Sequence, residues 1–248
     1  MTDSMLQPGL KSYTATIAGE KRTYMIEVPE GFNPDTGMAM FFFKGKGGAS
    51  PEKLTKLFSA AMKKYNCMAI YPQAVKRGKN PAQWALSGAD ANKDYQFFNY
   101  ITDALPDELP VMLSGVSNGG CFALWLTLVP KGYATCTFAA SLWRGTENIE
   151  YPANVYAIHG KDDESVPYYG GDAHGLDFFS AEESIKLFLE GPLVTLKTPY
   201  PGGAFMTTYD GHTKCQLLSV AGSGHDVMTS YKGINLIDSM MVFFRAFV

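Results

Sequence analysis

Short apolar runs, separated by stretches of helical periodicity, constrain this chain more than any other feature. Residues 38–44 are continuously apolar up to a closing lysine, as a strand covered on both faces would be. Residues 67–71, 110–115, 135–142 and 154–160 read as further strands of the same kind. Between them the period changes. Ser50-Pro51 opens a helix in which Leu54, Leu57, Phe58, Ala61 and Met62 recur at helical spacing. Phe97, Phe98, Ile101 and Leu105 mark a helix over 94–105, and another is expected over 118–129. Ser180-Ala-Glu-Glu183 is a capping box for a helix reaching residue 189, and a last helix runs over 234–247. Residues 11–18 and 21–28 alternate around Gly19-Glu20 as a hairpin, and 203–209 and 213–221 form a second one at Asp210-Gly211. Strands alternating with helices predict the α/β class: one domain over 1–248, with a mostly parallel, doubly wound sheet and helices on both faces. Such sheets bind ligands beyond the carboxyl ends of their strands, here the loops after Lys44, Tyr71, Gly115, Leu142, Gly160 and Ala221.

Composition excludes several partners. The net charge is −3, from 21 basic and 24 acidic residues, with no basic footprint for nucleic acid. The apolar runs fall far short of the ~18–20 residues that span a bilayer, so no membrane role is expected. The first residues lack the basic and apolar regions of a signal peptide. The expected compartment is therefore the cytoplasm, or the exterior if the sequence is a mature form. Cys67, Cys121, Cys136 and Cys215 form no CxxC pair and read as buried free thiols, with one disulfide left open.

The sharpest chemical signal is Gly115-Val-Ser-Asn-Gly-Gly120, between an apolar strand and an apolar helix. A G-x-S-x-G in that context is a nucleophile elbow: small residues two before and two after let strand and helix meet at a sharp turn that exposes the Ser117 hydroxyl. A serine hydroxyl needs a base. His225 lies in a loop after the last expected strand and before the last helix, in the order serine, acid, histidine. His159 reads as a packing and hydrogen-bonding residue and His212 as surface, while His174 lies in an irregular loop near the acid, within reach of a substrate. The acid belongs in the loop after the 154–160 strand, where Asp162, Asp163 and Glu164 are not separated by spacing. An oxyanion hole needs two N–H groups: Asn118 supplies one, and Lys44-Gly-Lys-Gly-Gly48 the other, from Lys46 or else Gly45.

These residues resemble the α/β-hydrolase esterases related to poly(3-hydroxybutyrate) depolymerases and feruloyl esterases. The matching segments are Phe42-Phe-Lys-Gly-Lys-Gly-Gly48, Ile70-Tyr-Pro-Gln73 with Trp84, the elbow, His159-Gly-Lys-Asp-Asp-Glu-Ser-Val-Pro-Tyr168, and Gly222-Ser-Gly-His225. The family pattern H-G-x-x-D-x-x-V-P-Y places the acid on Asp163, and Lys44 stands where the family usually has histidine. The resemblance implies an α/β-hydrolase fold without a large lid domain. It also implies a serine esterase with Ser117, Asp163 and His225 as its triad, no metal or organic cofactor, and a small-molecule or polymeric ester as substrate. The chain is expected to act as a monomer. Trp84, Trp143 and Tyr168 are expected to line the substrate cleft for an aromatic, polyester or short-chain acyl group, with Tyr169 and Phe178 nearby. Two other readings share the fold: another acyl-transfer or lyase reaction, and a non-catalytic ligand-binding relative.

Overall fold

The computed structural model describes residues 5–47, 50–128, 133–146, 151–191, 193–226 and 229–248. An antiparallel hairpin of β1 (Gly9–Ile17) and β2 (Glu20–Val28) comes first. β3 (Met38–Phe43), α1 (Pro51–Lys64), β4 (Cys67–Pro72), α2 (Gly88–Thr102), β5 (Val111–Val116), α3 (Asn118–Thr127), β6 (Ala134–Phe138) and β7 (Val155–Gly160) follow. Next are the short strands β8 (Gly171–Ala173) and β9 (Leu176–Phe178), then α4 (Ala181–Lys186), β10 (Val194–Tyr200), β11 (Ala204–Asp210) and β12 (Lys214–Val220). The short strands β13 (Ser230–Tyr231) and β14 (Ile234–Asn235) precede α5 (Leu236–Arg245).

One ten-stranded sheet has the order β1-β2-β4-β3-β5-β6-β7-β12-β11-β10. Its six central strands, β4 to β12, are parallel, and an antiparallel pair extends each edge. β3 explains the layering, because every residue of it is buried. With side chains alternating along the strand, Met38, Met40 and Phe42 pack with Leu54, Phe58 and Met62 of α1 and Met240 and Phe244 of α5. Phe41 and Phe43 face the other way, onto Phe97, Phe98 and Ile101 of α2 and Phe122 and Leu126 of α3. The sheet is thus wound on both faces, and α4 covers the β7–β12 end on the α3 side.

The expected boundaries need several corrections. α2 begins at Gly88, not 94, with Ser87 at its N-cap position. β6 ends at Phe138 rather than 142, because Ala139 turns to a φ of 49° and leaves the extended region. α4 ends at Lys186 and α3 at Thr127, before the expected residues 189 and 129; residue 129 lies outside the described residues. β10, the β8–β9 hairpin and the β13–β14 pair are strands where no strand was expected, the last of these delaying the final helix from the expected 234 to Leu236. All four cysteines are free and buried. Among the described residues no helix is long and apolar enough to cross a membrane.

Candidate active site

The turn from β5 to α3 puts Ser117 at φ 54°, ψ −131°, a strained conformation for a residue with a side chain. Two glycines permit it. A Cβ on Gly115 would lie 2.6 Å from the Gly119 carbonyl oxygen and 2.8 Å from that of Phe43. A Cβ on Gly119 would collide with the carbonyls of Phe43 and Lys44. The end of β3, the end of β5 and the start of α3 therefore touch backbone to backbone around the serine.

His225 arrives from the opposite side. Its loop follows β12 and presses onto the end of β7, where a Cβ on Gly160 would collide with the carbonyls of Ser223 and Gly224. The Asp162 N–H donates to the Ser223 carbonyl at 2.9 Å, which ties the two loops together. In this position His225 Nε2 lies 2.8 Å from Ser117 Oγ. Its Nδ1 lies 2.8 Å and 3.0 Å from the two carboxylate oxygens of Asp163.

Of the three acids that spacing left open, Asp163 is buried and bonded to His225, while Asp162 and Glu164 are exposed. Asp163 Oδ1 also accepts from the N–H groups of Ser165 and Val166, each at 2.9 Å. His159, fully buried, reaches Asp163 Oδ2 at 3.2 Å and the Val166 carbonyl at 2.9 Å through the same nitrogen, Nε2. Both neighbours are acceptors, so Nε2 carries the proton; Nδ1 has no hydrogen-bond partner among the described residues. Burial favours the neutral acid at Asp163. The hydrogen bonds from His159, His225 and the Val166 N–H outweigh it and hold the carboxyl well below its ordinary 3.8. A carboxylate so held fixes one imidazole tautomer at His225, with Nδ1–H toward the acid and Nε2 free to accept from the hydroxyl.

As the first residue of α3, Asn118 has a backbone N–H without an intrahelical acceptor. Its side chain is engaged elsewhere: Oδ1 accepts from the Trp84 N–H at 2.8 Å and Nδ2 donates to the Trp84 carbonyl at 3.0 Å. Of the two residues expected to offer the second N–H, Gly45 abuts the serine. A Cβ there would lie 3.1 Å from Ser117 Cβ and 3.6 Å from its Oγ. Lys46, one residue on, is exposed and lines the cleft. Burial lowers the pKa of the Lys44 ammonium that precedes them.

A cleft of about 520 Å³ opens over Ser117 and His225. Leu86, Cys121, Val166, Leu176 and Phe178 give it apolar walls, and Lys46, Asn80, Gln83, Ser165 and His174 add polar ones. His174 stands at the turn of the β8–β9 hairpin with φ 52° and pairs with Ser165 Oγ at 3.1 Å. The three expected lining residues are not there. Trp84 is buried, stacked on Phe122 with ring centroids 4.9 Å apart. Trp143 is buried and bridges backbone to Phe178. Tyr168 is buried against His159, its hydroxyl 2.7 Å from Ser219 Oγ. Packing won in each case, because a large ring buries more apolar area inside the fold than at a cleft wall. Arg77 pairs with Glu20 and Asp94 outside the cleft. Sequence reasoning missed Asn80, Gln83, Leu86, Cys121, Ser165, Val166 and Leu176 as lining residues. Among the described residues no group of three or more His, Cys, Asp or Glu side chains is placed to hold a metal ion.

No protein-family model matches the chain, and no curated protein matches its sequence. Solved structures do match in shape. An acetyl xylan esterase from Aspergillus awamori aligns over 97% of this chain and 100% of its own, with TM-score 0.65 and 14% identity. An α/β serine hydrolase homologue from Coxiella burnetii covers 100% and 99%, at 0.59 and 13%. A thermophilic esterase from Thermogutta terrifontis, with propionate bound, covers 96% and 92%, at 0.61 and 15%. At these identities the likeness establishes the α/β-hydrolase fold.

Proposed function

We propose that this chain is a serine hydrolase of carboxylic esters acting through an acyl-enzyme. One observation carries the reading: an unbroken path of hydrogen-bonding distances from Ser117 Oγ through both nitrogens of His225 to the buried carboxylate of Asp163. In the first half-reaction Ser117 Oγ attacks the ester carbonyl while His225 Nε2 takes its proton. Asp163 stabilises the imidazolium without accepting that proton. The negative charge on the carbonyl oxygen falls to the Asn118 N–H and an N–H of the Gly45-Lys46 segment. His225 then protonates the departing alcohol. In the second half it deprotonates a water, which releases the acid and restores Ser117. The esterases among the similar folds support the same chemistry, one of them holding propionate.

The preferred substrate is a short-chain or small acyl ester. Among the described residues the cleft wall offers one phenyl ring, that of Phe178, among mixed polar and apolar groups, which favours a compact acyl group over a hydroxycinnamoyl or long polyester segment.

The test is covalent labelling by a fluorophosphonate probe with mass-spectrometric identification of the site, alongside hydrolysis of p-nitrophenyl acetate, p-nitrophenyl octanoate and methyl ferulate. Labelling at Ser117, with faster turnover of the acetate than of the other two, is expected. The Ser117→Ala variant should keep its circular dichroism spectrum and lose both labelling and turnover. Turnover that persists in purified Ser117→Ala refutes the nucleophile.

A further inference from the structure

Trp84 was expected at the cleft and lies beneath it instead, and its bonds give it another role. We propose that Trp84 is a positioning residue that fixes the two oxyanion-hole segments relative to each other; the inference rests on the esterase reading above.

Three polar groups of this one residue are committed to the two segments that flank Ser117. The backbone N–H and carbonyl of Trp84 pair with the Asn118 side chain at 2.8 Å and 3.0 Å. Its indole Nε1–H donates to the Lys44 carbonyl at 3.2 Å. Asn118 opens α3 and would supply one oxyanion N–H; Lys44 immediately precedes Gly45 and Lys46, which would supply the other. The ring is wedged between the same two elements, edge-on to Phe43 of β3 at 5.1 Å and stacked on Phe122 of α3 at 4.9 Å.

The clamp is anchored from behind. The next residue, Ala85, donates its N–H to Asp94 Oδ2 at 2.8 Å. Asp94 is fully buried and also holds Arg22 at 2.6 Å and Arg77 at 2.9 Å. The Arg22 guanidinium carbon stands 5.9 Å from the centre of the Trp84 ring. The Trp84 loop therefore cannot drift without disturbing buried charges. This matters because oxyanion donors act only within a few tenths of an ångström of the developing charge, and misplacement by about 1 Å costs on the order of 100-fold in rate. No atom of Trp84 lines the cleft, so its loss should alter the transition state and leave ground-state binding alone.

The experiment uses Trp84→Phe, which keeps a ring and removes the bond to Lys44, and Asn118→Ala, which keeps the backbone N–H and releases the Trp84 backbone. With p-nitrophenyl acetate, kcat should fall about 10- to 100-fold in each, less than the loss of a whole donor. In Trp84→Phe, KM and the pH profile should stay near wild type. Affinity for a trifluoromethyl ketone, whose serine adduct carries an oxyanion, should fall in step with kcat/KM. The double variant should lose less than the product of the single losses, since both release one clamp. Unchanged kcat and ketone affinity in a folded Trp84→Phe would overturn the clamp. So would a fall in KM-driven binding alone, or fully multiplicative losses. A wild type that no fluorophosphonate labels would overturn the parent reading, and the clamp with it; a labelled, active wild type with an indifferent Trp84→Phe overturns the clamp alone.

Discussion

At residue scale the site depends on contacts that tolerate no extra atom. The position after Asn118 is the sharpest case, since a methyl group on Gly119 would meet two carbonyls of β3 and its following loop. Those are backbone atoms of a buried strand and cannot swing away. Gly119→Ala should therefore cost about 1–3 kcal/mol or more of stability, read as a lower urea midpoint, and activity should fall in the fraction that stays folded. Asp163 makes a different prediction. Its carboxyl ionises more readily folded than unfolded, so the stability it contributes is present above about pH 4 and is lost as pH falls below the unfolded-state value. Asp163→Asn removes that contribution, and its stability should change less with pH between about pH 4 and pH 2 than that of wild type; equal slopes would discard this account. Residue scale also shows what was readable beforehand. The elbow was legible because its glycines have a steric cause visible in sequence order. Spacing does not separate Asp162, Asp163 and Glu164; the family resemblance pointed to Asp163, and burial is the physical difference that sets it apart from the other two. The direction of Trp84, Trp143 and Tyr168 was not legible either: a loop's place in the order says that a side chain is near the site, not which way it points.

At the scale of elements, the central strands were legible because burial on both faces leaves an uninterrupted apolar run, as in β3, β4 and β7. β10 was illegible for the opposite reason. It is the outermost strand of its edge, nearly all its residues are exposed, and Pro199 interrupts it, so neither alternation nor a continuous run survives. α2 hid its first turns because Gly88-Ala-Asp-Ala-Asn92 carries no apolar period. The capping box of α4 was readable, but the Asn235 side chain, which accepts from the Ile237 and Asp238 N–H groups to cap α5, was not, since that helix was expected from 234. Ser180 accepts from the Glu183 N–H at 3.2 Å while the Glu183 carboxylate accepts from the Ser180 N–H at 3.0 Å. Ser180→Ala should cost about 1 kcal/mol, seen as a lower urea midpoint with an unchanged slope. Esterase rate per folded molecule should not change, because α4 lies outside the cleft.

On the scale of the whole molecule, the opening hairpin and the site are joined by buried charge. Arg22 on β2 and Asp94 on α2 are both fully buried and pair at 2.6 Å, with Arg77 and Glu20 closing the network from the surface side. Ion pairs of this kind are weak evidence for stability when compared with an apolar core, yet removing one partner strands the other, at about 3–5 kcal/mol. The two partners are not equally replaceable. Without Arg22, Asp94 keeps Arg77 and the Ala85 N–H. Without Asp94, Arg22 retains Glu20 at 3.1 Å, while its Nε and Nη2 already have no hydrogen-bond partner among the described residues. Asp94→Ala should therefore destabilise by about 3–5 kcal/mol, and Arg22→Met by distinctly less, since the methionine fills apolar space beside Phe97, over which the guanidinium now lies at 4.3 Å. Urea unfolding followed by circular dichroism measures both. Because the pair is out of solvent, the difference should persist at high ionic strength, where exposed pairs are screened. Equal costs for the two variants, or a difference that salt erases, would mean that the hairpin is held to the sheet by its backbone ladder and apolar contacts, with the buried charges contributing nothing specific.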